Sequence, residues 1–408
     1  MVEIVLRRRW ACIAVGMLAF LSACGKEKPA APTPEERLTL TRTSFAALPG
    51  WASDRTAEAL PALLRSCARL AALPPDRPAG GDAEALAGVV AGDWRNACTA
   101  AASVPTGGAG ADAAARAFFE ARFVPFRAGN GGEESGLFTG YYEAELRAAR
   151  QRSDRFSTPL YRRPPDLVSV DLGEFRDKLK GERIAGRVVD GKLKPYATRA
   201  EIEDGALAGR GLELLWVDDP VDAFFLAVQG SGRATLPDGR IVRLGYADQN
   251  GHAYVAIGRE LIERGAVARD AMSMQAIRAW IAANPQEGRE LMRRNPSYVF
   301  FRELQGEGPL GAQGAALTPG RSLAVDRRFL PLGVPVWLDA ESPTRPGERL
   351  QRLVVAQDTG GAIKGPVRGD LFWGAGKEAE QIAGVMKSRG GYALLLPQEA
   401  ARRIAGKP

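Results

Sequence analysis

The chain has 408 residues, of which 45% are hydrophobic, 25% charged and 7% aromatic. That balance excludes a chain disordered throughout, a collagen-like fibre and a small disulfide scaffold, and leaves room for two or three cores. Fifty-five Lys and Arg against 48 Asp and Glu give a formal net charge of +7, which favours anionic partners, yet no basic run exceeds Arg7 to Arg9, so nucleic acid is not an expected partner.

Arg7, Arg8 and Arg9 precede the apolar run Trp10 to Leu21, the layout of an export signal and too short to span a bilayer comfortably. The run ends in Leu21-Ser-Ala-Cys24-Gly25, which resembles the bacterial lipoprotein box, where the cysteine is diacylated and becomes the new N-terminus. The alternative is a plain signal peptide with an accidental cysteine. Residues 1–23 therefore read as a signal peptide and 24–44 as a lipidated, Pro- and Lys-containing tether, with the globular part opening near Glu35. Export leaves Cys67 and Cys98 as the free pair in an oxidising compartment. A disulfide between them is the economical reading, and two buried thiols on neighbouring helices the other.

Residues 54–126 read as helical, from the repeats Leu60, Leu63, Leu64, Cys67, Leu70 and Phe118, Phe119, Arg122, Phe123, with the Ala-rich stretch 83–102 between them also helix-compatible. A Gly-rich segment, 129–136, ends that block. Period-two alternation then places Phe138, Gly140, Tyr142, Ala144 and Leu146 on one strand face. Strands are expected at 212–217, 223–229 and 241–246, with a turn at 237–239, and helices at 253–264 and 272–283. After Asn295-Pro296 come the apolar run 298–301, strands at 323–325, 334–338, 353–356 and 393–396, and a helix at 378–387. The fold class is mainly β with helices, α+β.

The inventory limits the chemistry. One histidine, His252, and four cysteines speak against a His-ligated zinc site or a haem, so no metal or cofactor is expected, and catalysis falls to carboxylates, hydroxyls or lysines. Asp326, Asp358 and Asp370 each follow an apolar strand or sit in a glycine-bounded turn. Partial desolvation and a neighbouring carboxylate both raise a carboxyl pKa, which suits a general acid, although each aspartate could instead cap a turn. Gly360, Gly361, Lys364 and Gly365 do not have phosphate-loop spacing. Tyr141 and Tyr142, with Gln229 and Ser231, suit stacking on sugar rings and bonding to their hydroxyls, but would read equally as core aromatics and a polar turn. His252 reads as a satisfied polar residue.

Taken together, Phe138-Thr-Gly-Tyr-Tyr142, Val228-Gln-Gly-Ser-Gly232, Tyr246 to Tyr254, Met272 to Ile277, Asn295 to Phe301, Ser322 to Asp326 and Asp358 to Gly374 resemble the membrane-bound lytic murein transglycosylase A family from about residue 137 onward. The resemblance implies a double-psi β-barrel, the three-aspartate domain (296–408), completed by the N-terminal helical region (45–139), with a second β-barrel inserted between them (140–295). It implies peptidoglycan glycan strands as partner, attachment to the membrane through lipidated Cys24, and a place on the periplasmic face of the outer membrane. Asp370 falls on the family's acid/base, Asp358 on its supporting aspartate and Asp326 on the third. Tyr141, Tyr142, Gln229, Ser231, Tyr246 and His252 would line the glycan groove. One departure is an interval from Lys364 to Asp370 about one residue longer than the family pattern, with Gly369 where an aromatic is common.

Overall fold

A computed structural model describes residues 36–81, 83–179, 182–306 and 308–405; the expected signal peptide and the lipidation site Cys24 lie outside them. The strands of the first half are β1 (Leu38–Arg42), β2 (Phe123–Asn130), β3 (Gly136–Ala149), β4 (Thr158–Tyr161), β5 (Val168–Asp171), β6 (Arg183–Val189), β7 (Lys192–Pro195) and β8 (Glu213–Val217). Those of the second half are β9 (Ser231–Thr235), β10 (Ile241–Gln249), β11 (Val299–Leu304), β12 (Ser322–Val325), β13 (Pro335–Glu341), β14 (Arg349–Asp358), β15 (Arg368–Ala375) and β16 (Lys387–Pro397). The helices are α1 (Leu60–Ala71), α2 (Arg95–Ala101), α3 (Ala111–Arg122), α4 (Arg199–Glu201), α5 (Pro220–Gln229), α6 (Ile257–Glu263), α7 (Met274–Ala283), α8 (Pro285–Arg293), α9 (Lys377–Val385) and α10 (Gln398–Ala405).

Six strands close a circuit. β16 pairs β13, β13 pairs β14, β14 pairs β12, β12 pairs β15, β15 pairs β3, and β3 returns to β16; only the β12–β14 and β15–β3 pairs are parallel. Strands buried on both faces read as unbroken apolar runs, and β13, β14 and β16 do. Val336, Leu338, Val354, Ala356, Leu394 and Leu396 pack with Phe138, Leu323 and Leu371, while the intervening Trp337, Leu353, Val355, Ala393 and Leu395 pack under α1 and α3. α1 presents Leu60, Leu63, Cys67 and Leu70 as one buried stripe, the helical period applied to a single face. Cys67 and Cys98 form a disulfide joining α1 to α2. Closing a loop of that length, a sequence separation of 31, restricts the unfolded chain by about 3 to 4 kcal/mol.

β3 is the hinge of the architecture. Its first half, from Gly136 to Glu143, pairs within the ring, and Ala144 to Ala149 pair with β9 and β8. The sheet beyond it runs β4-β8-β3-β9-β10-β11. Its two edges approach each other where the Tyr298 hydroxyl donates to the Pro159 carbonyl at 3.4 Å, without a ladder between them among the described residues. A separate three-stranded sheet, β5-β6-β7, stands apart from it.

Four expectations change. β1 lies inside the stretch expected as tether, 24–44, and pairs β2 along its length, so the fold begins before that tether was to end. The N-terminal block contributes strands as well as helices: Pro125 follows α3, and 123–130 is β2, not helix. Within 83–102 only α2 is α-helical; Gly88 has φ +84° and Gly92 packs on the Pro75 carbonyl. The expected strand at 223–229 is α5. Asp219 caps it by accepting from the Val221 N–H at 2.8 Å, Pro220 occupies its first turn, and Gly230 closes it in the left-handed region at φ +80°. These end signals outweigh an apolar run that alone fits either element.

Candidate active site

β12 is flanked by two aspartates. Ala324 is the register partner of Asp358 at the end of β14 and of Asp370 on β15, and Asp370 is in turn opposite Thr139 on β3. A carboxylate here therefore comes to lie beside the β3 strand that carries the Phe138 to Tyr142 motif.

Asp370 is half-buried. Thr139 Oγ1 donates to its Oδ1 at 2.7 Å, and Arg368 Nη2 donates to the same Thr139 oxygen at 2.8 Å. A hydroxyl has one proton; with Arg368 on its lone pair, Thr139 directs that proton at Oδ1 and leaves Oδ2 to carry the acid hydrogen. Burial raises the Asp370 pKa, against the opposing pull of Thr139 and Arg368. The Asp370 carboxyl thus has the tendency of an acid, with no partner on Oδ2 among the described residues.

Asp358 accepts from the Ala312 N–H at 2.8 Å, its neighbour's Thr359 N–H at 2.9 Å, and the Tyr141 hydroxyl at 2.9 Å. Burial pushes it up to about 6 even against these donors, with the Asp370 charge adding to the rise. Tyr141 is itself buried, its ring 5.2 Å from that of Phe372, and burial together with Asp358 raises its phenol well above the ordinary value. Next to Asp358, buried Gln357 ties the ring to α1 by donating to the Ala62 carbonyl and the Ser66 hydroxyl.

Asp326 stands outside this group. Its carboxylate is 3% exposed and receives Arg328 through Nη2 at 2.6 Å and the Gly365 N–H at 2.9 Å. Burial alone would raise it; the Arg328 guanidinium and the Gly365 N–H outweigh that and hold it below the ordinary carboxylate range. It is an ionised anchor for the loop that leads to Asp370.

The expected groove residues divide. Tyr142 is 3% exposed, and its hydroxyl reaches Glu380 at 3.1 Å, so its ring presents no face to a sugar. Gln229 caps the neighbouring backbone by accepting from the Tyr142 N–H at 3.1 Å, and Ser231 is buried opposite Gly245. These three belong to the seam between the two sheets, where burial of the β3 pleat claims them. Tyr246 is 42% exposed; burial of its phenol and Asp248 push it up to about 12, while Arg183 acts against them. His252 sits with its Nε2 2.7 Å from the Tyr196 carbonyl, a satisfied polar residue. At Gly369 a Cβ would meet Leu323 and Phe138 at 3.0 Å, which explains why this chain has no aromatic there. Sequence reasoning missed Thr139, Arg368, Arg328 and Ala312. Thr139 lies inside the Phe138 to Tyr142 motif, but only the β3–β15 register reveals that it faces Asp370.

Among the described residues no group of three or more His, Cys, Asp or Glu could hold a metal, and no helix is long and apolar enough to cross a membrane.

Residues 137–302 match the MltA specific insert domain and residues 321–396 the 3D domain. The chain is 37% identical over 270 residues to the membrane-bound lytic murein transglycosylase A of Vibrio cholerae, an alignment covering 64% of this chain and 66% of that protein, so it spans just under two thirds of that relative's length. The crystal structure of a membrane-bound lytic murein transglycosylase from Agrobacterium tumefaciens superposes with a TM-score of 0.79 at 37% identity, covering 90% of this chain and 99% of that one. The Escherichia coli MltA structure with bound chitohexaose gives 0.63 at 29% identity, over 88% and 93%. With both family domains present and alignment extending across nearly the whole of a solved relative, the chain belongs to the membrane-bound lytic murein transglycosylase A family.

Proposed function

We propose that this protein cleaves the β-1,4 bond between N-acetylmuramic acid and N-acetylglucosamine in peptidoglycan without water, leaving 1,6-anhydro ends, with Asp370 as acid and then base. The observation that carries this reading is the Asp370 carboxyl, raised by burial, with Oδ1 held by Thr139 and Oδ2 without a partner among the described residues. Protonated Oδ2 gives its proton to the leaving O4 of the glucosamine as the muramoyl C1–O4 bond breaks. The muramoyl C6 hydroxyl bonds to C1 and returns its proton to the Asp370 carboxylate, so atoms balance without water. The nucleophile is already part of the substrate, and intramolecular attack supplies several kcal/mol of the barrier reduction, so no second carboxylate has to position a water. Asp358, with Tyr141, keeps a polar but largely protonated neighbour beside Asp370 at mildly acidic pH.

In this reading the closed six-strand circuit is a double-psi β-barrel and the β4 to β11 sheet the inserted second barrel. Glycan strands lie between them; the binding of chitohexaose by the Escherichia coli relative supports glycan as the ligand. Cys24 carries the lipid that holds the protein to the periplasmic face of the outer membrane. Incubated with purified murein sacculi, the full-length chain is expected to release muropeptides whose muramic acid ends are lighter by one water than hydrolysed ends. Reducing ends on mass spectrometry would instead identify an inverting hydrolase, and binding without release a wall-binding lipoprotein. Cys24→Ser should leave the membrane fraction and lose acyl label; retention of both would remove the anchor.

A further inference from the structure

A cleft of about 420 Å³ opens where the small β5-β6-β7 sheet meets the turn after β12, and it is lined by Asp171, Glu174, Phe175 and Arg183 from the sheet side and Arg327 from the ring. Arg183 and Arg327 belong to different parts of the chain, and among the described residues neither has an ion-pair partner, although Asp171 is the cross-strand neighbour of Arg183. The Asp171 carboxylate is engaged in accepting the Gly173 N–H at 3.0 Å. Phe175 is 72% exposed, an aromatic left in water at the rim of a charged cleft. Two guanidiniums, two carboxylates and one uncovered ring suit a ligand that carries both signs of charge together with apolar carbon. A glycan strand has neither sign of charge in its sugar rings.

The cleft is close to the reacting centre. Arg327 is three residues beyond Ala324, the direct register partner of Asp370, and three residues of chain span at most about 11 Å. Arg183 is near enough to the exposed Tyr246 to act on its phenol. In murein, the muramic acid whose C1 is attacked carries on its C3 lactyl group a short peptide with free carboxylates and a free amine. Each extended residue of such a peptide reaches about 3.5 Å, enough to cross from the sugar to this cleft.

We infer that this cleft binds the stem peptide of the muramic acid being cleaved, with Arg183 and Arg327 taking its carboxylates, the Asp171 and Glu174 side its amine, and Phe175 packing on its apolar carbon. The inference rests on the transglycosylase reading above and names the part of the substrate that reading leaves open. Charge-assisted contacts that a peptide-free glycan cannot make then separate the two substrates.

The test compares full-length wild type, Arg327→Ala, Arg183→Ala and the charge-keeping Arg327→Lys on two substrates, intact sacculi and sacculi stripped of peptide by an amidase. For each alanine variant the KM on stem-bearing relative to peptide-free glycan should rise about 5- to 10-fold, with Arg327→Lys recovering much of it. The same factor on both substrates, or no change on either, overturns the cleft assignment while leaving the activity intact. Calorimetry with the free stem peptide gives a readout independent of turnover: wild type should bind it and Arg327→Ala should bind it about 5- to 10-fold more weakly. Absence of anhydro product from wild type on both substrates defeats the transglycosylase reading alone, and absence of peptide binding defeats the cleft alone.

Discussion

Asp326 directly follows β12 and Asp370 sits on the neighbouring β15, two residues out of register, and burial has opposite outcomes for them. Asp326 meets a guanidinium and a backbone N–H at close range and stays ionised; Asp370 meets one hydroxyl, with its guanidinium held one atom further back, and is pushed toward the neutral acid. The contrast teaches that desolvation sets the stakes, while the nearest donor decides the sign. An Arg beside a carboxylate makes a fastener. An Arg acting through a threonine, as Arg368 does through Thr139, leaves the carboxyl raised toward the acid form.

The sharpest way to break that comparison is Asp370→Asn, which should keep the fold and cut kcat on sacculi by about 10²- to 10⁴-fold, the span general acid–base catalysis supplies. A near-normal rate would end the assignment of the acid. The pH dependence comes next. Asp358 is raised to about 6 in the folded chain, so the stability it contributes is complete below the ordinary carboxylate value and is lost as pH rises through 6. Urea unfolding should therefore find wild type losing up to about 3 kcal/mol relative to Asp358→Asn between pH 4 and 7; parallel curves would contradict the raised value.

Asp326 should slope the other way. Its lowered folded value makes its stabilisation present above the ordinary carboxylate range and lost as pH falls through that folded value. Asp326→Asn should cost about 2 kcal/mol at pH 7, converging with wild type in acid, with a far smaller loss of kcat than Asp370→Asn. A rate loss equal to that of Asp370→Asn, at unchanged stability, would make it part of the chemistry. The smallest effect expected is for Thr139→Val, which removes the hydroxyl that fixes Oδ1: kcat should fall roughly 5- to 10-fold and the pH–rate profile should shift, since Thr139 opposes the rise of the Asp370 pKa. A fall in rate without that shift would mark a packing role only.

Much of the ring was legible in the residues. The apolar runs 334–338, 353–356 and 393–396 fit strands because they are only four or five residues long, shorter than an ordinary helix. The three aspartates were legible as candidates because each reads as following an apolar strand, as Asp326 and Asp358 do, or as sitting in a glycine-bounded turn, as Asp370 does. The strand expected at 223–229 failed because its core is apolar at every position, and only Asp219, Pro220 and Gly230 at its ends distinguish helix from strand. Tyr142, Gln229 and Ser231 read as groove residues because polarity beside an aromatic looks the same whether it meets a sugar or a neighbouring backbone.

By itself, then, the amino-acid order determined where β12, β13, β14 and β16, the start of β3, and β8 and β10 form, where α1, α3, α6, α7 and α9 lie, which carboxylates could be desolvated, and that two cysteines were available to pair. Those are local matters, governed by periodicity, end signals and composition. Only the tertiary structure decided that β3 serves both sheets, that Thr139 and Arg368 close on Asp370, and that Arg328 takes Asp326 out of the acid group. Each of those depends on contacts whose partners are far apart in the chain, as with Thr139 and Asp370, or on the rotamer of a near neighbour, as with Asp326 and Arg328. Neither cross-strand register nor side-chain direction is encoded in a one-dimensional pattern; both are fixed when the ring closes and the core is packed.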